Sequence, residues 1–213
     1  MNATIQSEIQ APALATPERQ SKSFSDLDLQ LSRRLDWRFL LANTQLENVA
    51  YIGKQKPSLV AGLEKFSACL TIVSSKTAEA LPGTFDLVVV ASATPPVFEC
   101  AARILKNGGW IYVEVGFSAR LRAKLQGLNG FRTDLLCAGL RDVRAYWHRP
   151  SFETCREIVP LDDRVALDYV LSRQQADFAD KLKSRAARFA SQTGLLPFVL
   201  PSVSLLACKG SER

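Results

Sequence analysis

Histidine and paired cysteines are scarce in this 213-residue chain, and this limits the chemistry that it can support. His148 is the only histidine, so a metal centre built from several imidazoles is excluded. The five cysteines are widely and irregularly spaced, with no C-x-x-C pair. That spacing favours buried free thiols in a reducing compartment over a disulfide framework or a zinc site. We therefore expect a cytoplasmic protein without a bound metal.

Long apolar runs are also missing. The longest, "FDLVVVASA", has the length of a strand, whereas a helix needs about 20 apolar residues to span a bilayer. The first residues lack a basic start followed by an apolar core, so no secretory signal is predicted. No membrane partner is expected. Residues 1–25 are polar and contain proline, which predicts a disordered tail.

The formal net charge is +6, but no nucleic-acid motif accompanies it. The basic residues are spread along the chain, and the densest stretch, "ADKLKSRAARFA", is typical of a solvated helix face. Nucleic acid is therefore not an expected partner. No Ser-His-Asp order or paired-carboxylate site can be assembled. "GKQKPS" does not match G-x-x-x-x-G-K-[ST], which argues against an NTPase.

Apolar runs of strand length alternate with segments of helical spacing along the rest of the chain. This order predicts an α/β fold: a doubly wound, mostly parallel sheet of about six strands with helices on both faces. Residues 26–213 are expected to form a single domain, with a helical insert near 161–194. Strands are predicted at residues 48–53, 68–75, 85–93, 110–116, 141–151 and 202–210.

Five segments occur in this order between about Asn48 and Gly210: "LENVAYIG", "FDLVVVASATPP", "AARILKNGGWIYVEV", "AGLRDVRAYW" and "LPSVSLLACKG". Together they resemble the class I S-adenosylmethionine-dependent methyltransferases. "LENVAYIG" is similar to their first strand and glycine turn, and "FDLVVVASATPP" to their fourth strand. "AARILKNGGWIYVEV" matches their helix, Gly-Gly turn and fifth strand. "AGLRDVRAYW" and "LPSVSLLACKG" resemble the sixth strand and the seventh, which is antiparallel in that family. The resemblance implies S-adenosylmethionine as cofactor.

Three departures from the family pattern concern the cofactor pocket. The first loop, "GKQKPS", has Gly53 alone where the family has G-x-G-x-G, and it adds Lys54 and Lys56. The second strand ends "TIVSSK", without the usual acid for the ribose hydroxyls. Only about ten residues then precede "FDLVVV", too few for the family's next helix and strand. The sheet is therefore expected to be one strand short on that side.

The resemblance places the cofactor at the carboxyl ends of the first three strands, where ligands of such sheets bind. Gly53 gives backbone access or merely ends a strand, and Ser74 or Ser75 replaces the ribose acid. The loop after the third strand passes beneath the transferred methyl group. The candidate cofactor-binding residues are Gly53, Lys54, Ser74, Ser75, Ala91, Ser92 and Ala93.

Two polar residues are candidate catalytic groups. Glu114 lies within a central strand, where a carboxylate is costly unless it is paired. It is either a base or cofactor ligand, or a member of a buried ion pair. His148 is a possible general base because its ordinary pKa lies near neutrality, or it is a surface residue beside a turn. Asp86 is expected to fix a loop rather than to catalyse.

Two functions follow, beside a third hypothesis in which the basic surface binds nucleic acid or another anionic ligand. The first is methyl transfer to a small molecule or carbohydrate, which needs orientation more than acid–base chemistry. The second is a catalytically inactive methyltransferase-fold protein that serves as a partner or scaffold in a biosynthetic pathway. The partner is accordingly a small-molecule substrate or a protein, and an oligomer is compatible with both. Separately, Trp37 and Phe39 are predicted to pack against the core.

Overall fold

The computed structural model describes residues 25–74, 81, 83–91, 93–116, 127–173 and 200–210. The helices in these ranges are α1 (Asp26–Arg34), a 3₁₀ helix (Asp36–Leu40), α2 (Pro57–Phe66), α3 (Pro95–Ile104), α4 (Gly127–Cys137) and α5 (Arg164–Arg173). The strands are β1 (Leu46–Ile52), β2 (Ser67–Val73), β3 (Phe85–Val90), β4 (Leu105–Gly116), β5 (Leu140–Arg149), β6 (Glu157–Pro160) and β7 (Ser202–Lys209). The predicted tail before Ser25 and the predicted insert beyond Arg173 lie outside the described residues.

Local sequence signals explain where the helices begin. Ser25 caps α1, with its hydroxyl accepting from the Asp28 N–H and the Asp28 carboxylate accepting from the Ser25 N–H. Such reciprocal pairing satisfies two N–H groups that have no partner within the helix. Proline occupies the first turn of both α2 and α3, where its missing N–H costs nothing.

The described strands form one seven-stranded sheet in the order β2-β1-β3-β4-β7-β5-β6. The pairs β1–β2, β1–β3 and β3–β4 are parallel, whereas β7 is antiparallel to both β4 and β5. This confirms the predicted α/β fold with its antiparallel last strand. No described strand lies beyond β2, as the shortened sequence predicts. The additional strand, β6, was not predicted; it pairs antiparallel with β5.

Alternate residues of the central strands face two separate apolar layers. On one face, α1, the 3₁₀ helix and α2 cover residues such as Tyr51 and Tyr112. On the other face, α3, α4 and α5 cover residues such as Ile52 and Val113. Side chains alternate between faces along a strand, so continuous apolar runs are what a sheet covered on both sides requires.

The Gly-Gly turn differs from the predicted helix end. The sequence predicts a helix that runs to this turn and a strand from Trp110, but α3 ends at Ile104 and β4 begins at Leu105. Both glycines therefore lie within the strand. A Cβ on Gly109 would come within 3.1 Å of the Asp86 carbonyl oxygen in β3 and within 2.9 Å of the Lys106 carbonyl oxygen in its own strand, so β4 approaches β3 closely here only because this residue has no side chain.

The segment after α1 confirms one aromatic prediction and overturns the other. Trp37 is buried, and its ring stacks on Tyr112 with centroids 3.8 Å apart and an interplanar angle of 9°. Phe39 is 61% exposed, with the Arg38 guanidinium over its ring. The 3₁₀ helix turns the two side chains in different directions, so only Trp37 reaches the sheet.

The cysteines also depart in part from expectation. Cys100 and Cys155 are buried, whereas Cys69 and Cys137 are exposed and Cys208 is half-buried. Described residues contain no disulfide among these five and no group of three or more side chains suited to a metal ion. Helices within the described ranges are also too short or too polar to cross a membrane.

Candidate functional site

The winding of the sheet reverses between β1 and β3. From β1 the chain passes through α2 to β2 on one side, and β3 then pairs with the other side of β1. Helix α2 lies on one face and α3 on the other. Connections that leave to opposite faces open a crevice at the carboxyl ends of the strands, which is where open α/β sheets bind ligands. We call this side of the sheet the carboxyl edge.

The turn after β1 exposes backbone at this crevice. Gly53 is exposed and has φ 114°, a conformation that residues with a side chain rarely adopt. Lys54 is also exposed. Because a larger residue at position 53 would be strained whether or not a ligand binds, Lys54 is the better position for testing ligand contact.

A buried tyrosine that the sequence did not indicate holds this turn in place. The Tyr51 hydroxyl donates to the Lys54 carbonyl at 2.7 Å and accepts from the Lys56 N–H at 3.1 Å. Tyr51 is fully buried on the α2 face of β1. The Tyr51 hydroxyl therefore fixes the turn from the buried side of β1, while Gly53 and Lys54 stay exposed to solvent.

The other described candidate cofactor residues lie at the same edge. Ser74 follows β2 directly and is exposed. Ala91 follows β3, and its N–H donates to the Ile52 carbonyl at 3.0 Å. Ala93 is half-buried just before α3. The two remaining candidates, Ser75 and Ser92, lie outside the described residues.

Glu114 lies in a buried ion cluster, which we define as Arg34, Lys56 and Glu114. The Glu114 oxygens lie 2.7 Å from Arg34 Nη1 and 2.7 Å from Lys56 Nζ. The Tyr112 hydroxyl lies 3.2 Å from Oε1. None of the Arg34 nitrogens meets hydrogen-bond geometry within the described residues, so its attraction to Glu114 is chiefly that of an ion pair.

Burial alone would raise the pKa of Glu114, but attraction to Arg34 and Lys56 outweighs it and holds this pKa below its ordinary value. The carboxylate therefore stays ionised. Both of its oxygens have partners within the protein, as the ion-pair interpretation of the sequence requires. Sequence reasoning did not find Arg34, because a helix-surface pattern does not reveal which arginine turns inward.

The loop between β5 and β6 closes over the buried ion cluster. Glu153 from this loop lies 3.4 Å from Arg34 Nε and accepts a hydrogen bond from the Ser58 hydroxyl in α2. The Phe152 ring lies against both cations, 5.7 Å from the Arg34 guanidinium carbon and 5.6 Å from Lys56 Nζ. Three segments distant in sequence thus meet above β4.

His148 is buried beside the cluster and is not a surface residue. Its Nε2 lies 2.8 Å from the Ser204 hydroxyl, and its Nδ1 lies 3.6 Å from the Cys155 sulfur. Ser204 lies opposite Glu114 in the β4–β7 register, so the two candidate catalytic residues are close together. Burial lowers the pKa of His148 to about 4 and raises the pKa of the Cys155 thiol. At neutral pH both groups are therefore uncharged.

The depressed pKa of His148 predicts a loss of stability in mild acid. Unfolded chains protonate their histidine near pH 6.5, whereas the folded protein resists protonation until about pH 4. The unfolded state thus binds more protons within this window, and stability falls as the pH decreases. We expect the free energy of unfolding to drop by about 1 kcal/mol between pH 7 and pH 5.5.

Urea unfolding at the two pH values measures this drop. His148→Gln retains a polar side chain and removes the titration, and no other histidine exists in the chain. The pH-dependent loss should therefore disappear in this variant, whatever its stability at pH 7. An equal loss in both proteins would contradict the assignment to His148.

Asp86 and a cavity lie at the opposite, amino edge of the sheet. The cavity has a volume of about 320 Å³ and is lined by residues near the starts of β1, β3 and β4. Asp86 accepts from the Asn48 N–H at 3.2 Å and from Lys106 Nζ at 3.0 Å. It therefore joins β1 to β4 across β3, a structural role consistent with the one that the sequence suggests.

Comparison with solved structures concerns the fold. A S-adenosylmethionine-dependent methyltransferase from Archaeoglobus fulgidus has 11% identity and a TM-score of 0.50, over 87% of this chain and 95% of that one. The chain has the class I methyltransferase fold. Haemonchus contortus phosphoethanolamine N-methyltransferase 2, solved with S-adenosylmethionine, has 12% identity and a TM-score of 0.47. The match covers 84% of this chain but only 53% of that enzyme. No protein-family model and no curated protein matches the sequence.

Proposed function

We propose that this protein binds S-adenosylmethionine at the carboxyl edge and transfers its methyl group to a small molecule or carbohydrate. The observation that carries the proposal is the crevice between β1 and β3, where the positive-φ turn at Gly53 exposes backbone beside the loop after β3. Such a crevice is where doubly wound sheets bind nucleotide-like ligands.

Each loop at the edge has a part in this proposal. Gly53 lets the backbone approach the methionyl part of the cofactor, and exposed Lys54 pairs with its carboxylate. Lys56 is paired with Glu114 at 2.7 Å, so its charge is compensated by that carboxylate and does not repel the sulfonium strongly. Ser74 or Ser75 binds the ribose hydroxyls, and Ala91, Ser92 and Ala93 form the loop beneath the reacting methyl group.

Neither Glu114 nor His148 transfers a proton in this proposal. Glu114 is ionised and paired on both oxygens, and His148 is neutral and buried. Methyl transfer from a sulfonium depends on bringing donor and acceptor into line, and such orientation alone supplies much of the rate enhancement. In this proposal Glu114 and His148 instead stabilise β4 and β5, which lie beneath the place where the methyl acceptor binds.

A small methyl acceptor is favoured because the β5–β6 loop covers the carboxyl end of β4. The β5–β6 loop contacts both α1 and α2 through Glu153, and Trp37 covers Tyr112. These contacts place side chains of three segments over β4. A large macromolecular acceptor would have to displace them.

A second function is favoured by the same buried ion cluster. Both polar candidates for catalysis are bonded to the protein's own side chains, and no acid ends β2. A methyltransferase-fold protein without catalysis, acting as a partner or scaffold in a biosynthetic pathway, would have these properties. Its crevice would not bind the cofactor.

Isothermal titration calorimetry with S-adenosylhomocysteine distinguishes the two functions. In the methyltransferase proposal the protein binds this ligand, and Lys54→Gln weakens binding about tenfold because one charge-assisted contact is lost. Arg103→Gln is the matched control, since Arg103 is an exposed cation near the end of α3 at the amino edge. It should bind the ligand as the parent protein does.

Each result of the calorimetry contradicts one part of the proposal. No heat with the parent protein at high concentration would contradict cofactor binding and leave the scaffold function. Binding that Lys54→Gln and Arg103→Gln affect equally would retain the cofactor and contradict the assigned site. Melting temperatures of both variants check that their folds are intact.

A further inference from the structure

The outer edge of β2 is the starting point for an inference that is independent of cofactor binding. In the described part of the chain, β2 pairs only with β1. An edge strand presents a row of N–H and C=O groups that another strand can pair with. The sequence predicted this edge, because the residues between β2 and β3 are too few for a further helix and strand.

β2 lacks the features by which proteins usually prevent edge pairing. Its seven residues, "SACLTIV", include no charge and no proline, and its register with β1 has no bulge. Lysine, proline and bulges are the common means of blocking an edge. Ile72 is 49% exposed, and Ala68 and Cys69 are exposed too. The strand is therefore apolar, regular and accessible to a partner.

The strand is also complementary to itself. Ala68, Leu70 and Ile72 share one face because side chains alternate along a strand. In an antiparallel two-fold pairing centred on Leu70, Ala68 lies opposite Ile72 of the partner subunit. Apolar side chains then meet apolar side chains on that face, and Cys69 lies opposite Thr71 of the partner subunit.

We propose that β2 is the interface of a symmetric homodimer, in which two copies pair β2 with β2 antiparallel and join their sheets. A two-fold axis is the commonest symmetry of soluble oligomers, and the self-complementary pattern favours a second copy over an unrelated peptide. Pairing removes the open β2 edge of both copies at once. The dimer is closed, because a two-fold interface uses the same β2 edge of each copy and leaves none of these edges free for a third copy.

Sedimentation velocity of the full chain, from low to high micromolar concentration, tests the proposal. The expected mass at high concentration is twice the 23.5 kDa of one chain. Ile72→Lys places a charge on the exposed edge and should weaken association at least tenfold. Val165→Lys is the control, since Val165 is 80% exposed on α5, and it should not change association. Melting temperatures confirm that both variants fold.

A charge pair tests the antiparallel register. The double variant Ala68→Lys with Ile72→Glu places opposite charges across the two-fold axis and should restore the dimer that Ile72→Lys weakens. The double variant Ala68→Lys with Ile72→Lys places like charges across it and should remain monomeric. Equal behaviour of the two double variants would overturn the register.

Cross-linking gives an independent reading of the same register. Thr71→Cys places a thiol opposite Cys69 of the partner subunit, so mild oxidation should yield a disulfide-linked dimer. Adding Cys69→Ser should abolish it. A parent protein that stays monomeric at the highest concentration, a dimer insensitive to Ile72→Lys, or an assembly larger than two would each overturn the proposal.

Discussion

Glu114→Gln should lower the free energy of unfolding by about 3–5 kcal/mol, because it removes the buried carboxylate that pairs with both Arg34 and Lys56. Glu114 is buried, with Arg34 Nη1 and Lys56 Nζ each 2.7 Å from its carboxylate. Arg34 is buried as well, so its charge cannot recover hydration after the change. Taking a charge out of water without a partner is among the most destabilising effects of a single substitution.

The matched control for this variant is Glu153→Gln. Glu153 also lies beside Arg34, at 3.4 Å, but its side chain is 55% exposed. Exposed ion pairs contribute about 0–1 kcal/mol, so this variant should unfold near the parent's urea midpoint. If Glu114→Gln and Glu153→Gln lost similar amounts of unfolding free energy, the buried Glu114 carboxylate would not be the group that stabilises this part of the fold.

Trp37→Ala should destabilise the protein by about 3–5 kcal/mol, the usual range for removing a large buried aromatic side chain. Trp37 is 1% exposed, and its ring lies parallel to Tyr112 at 3.8 Å. The substitution loses this stacking and leaves a cavity between the 3₁₀ helix and β4. The segment that carries Arg34 would also lose its second anchor on the sheet.

Phe39→Ala is the comparison within the same turn. Phe39 is largely exposed, so we expect a change within about 0.5 kcal/mol. Measured by urea unfolding, Trp37→Ala should therefore lose several times more free energy of unfolding than Phe39→Ala. An unchanged midpoint for Trp37→Ala would mean that the segment is held by contacts other than the indole ring.

The sequence predicted the parts of the fold that depend on local pattern. Continuous apolar runs indicated the central strands, and Pro95 indicated where α3 begins. That no described strand lies beyond β2 agrees with a simple count of the residues between β2 and β3. The strand β6 was missed because its four residues have no distinctive alternation, and it exists only through pairing with β5.

The candidate site depends on contacts between distant residues, which a local pattern does not contain. The sequence indicated that Glu114 needs a partner, but not that Arg34 supplies it from 80 positions earlier in the chain. His148 looked like a surface residue beside a turn, yet β6 and the preceding loop bury it. Tyr51 gave no signal, because a tyrosine in a strand is ordinarily core.

The position of β7 has a consequence for how the protein is made. Its residues come late in the chain, yet they lie between β4 and β5 in the middle of the sheet. While the ribosome is still translating the preceding residues, β4 and β5 therefore have no strand to join them. The first half of the sheet can assemble early from neighbouring β–α–β units, but the second half must wait for the last strand to leave the exit tunnel. Such long-range pairing is the slow part of folding, so newly made chains expose one unpaired edge of β4 and one of β5 until synthesis has reached β7.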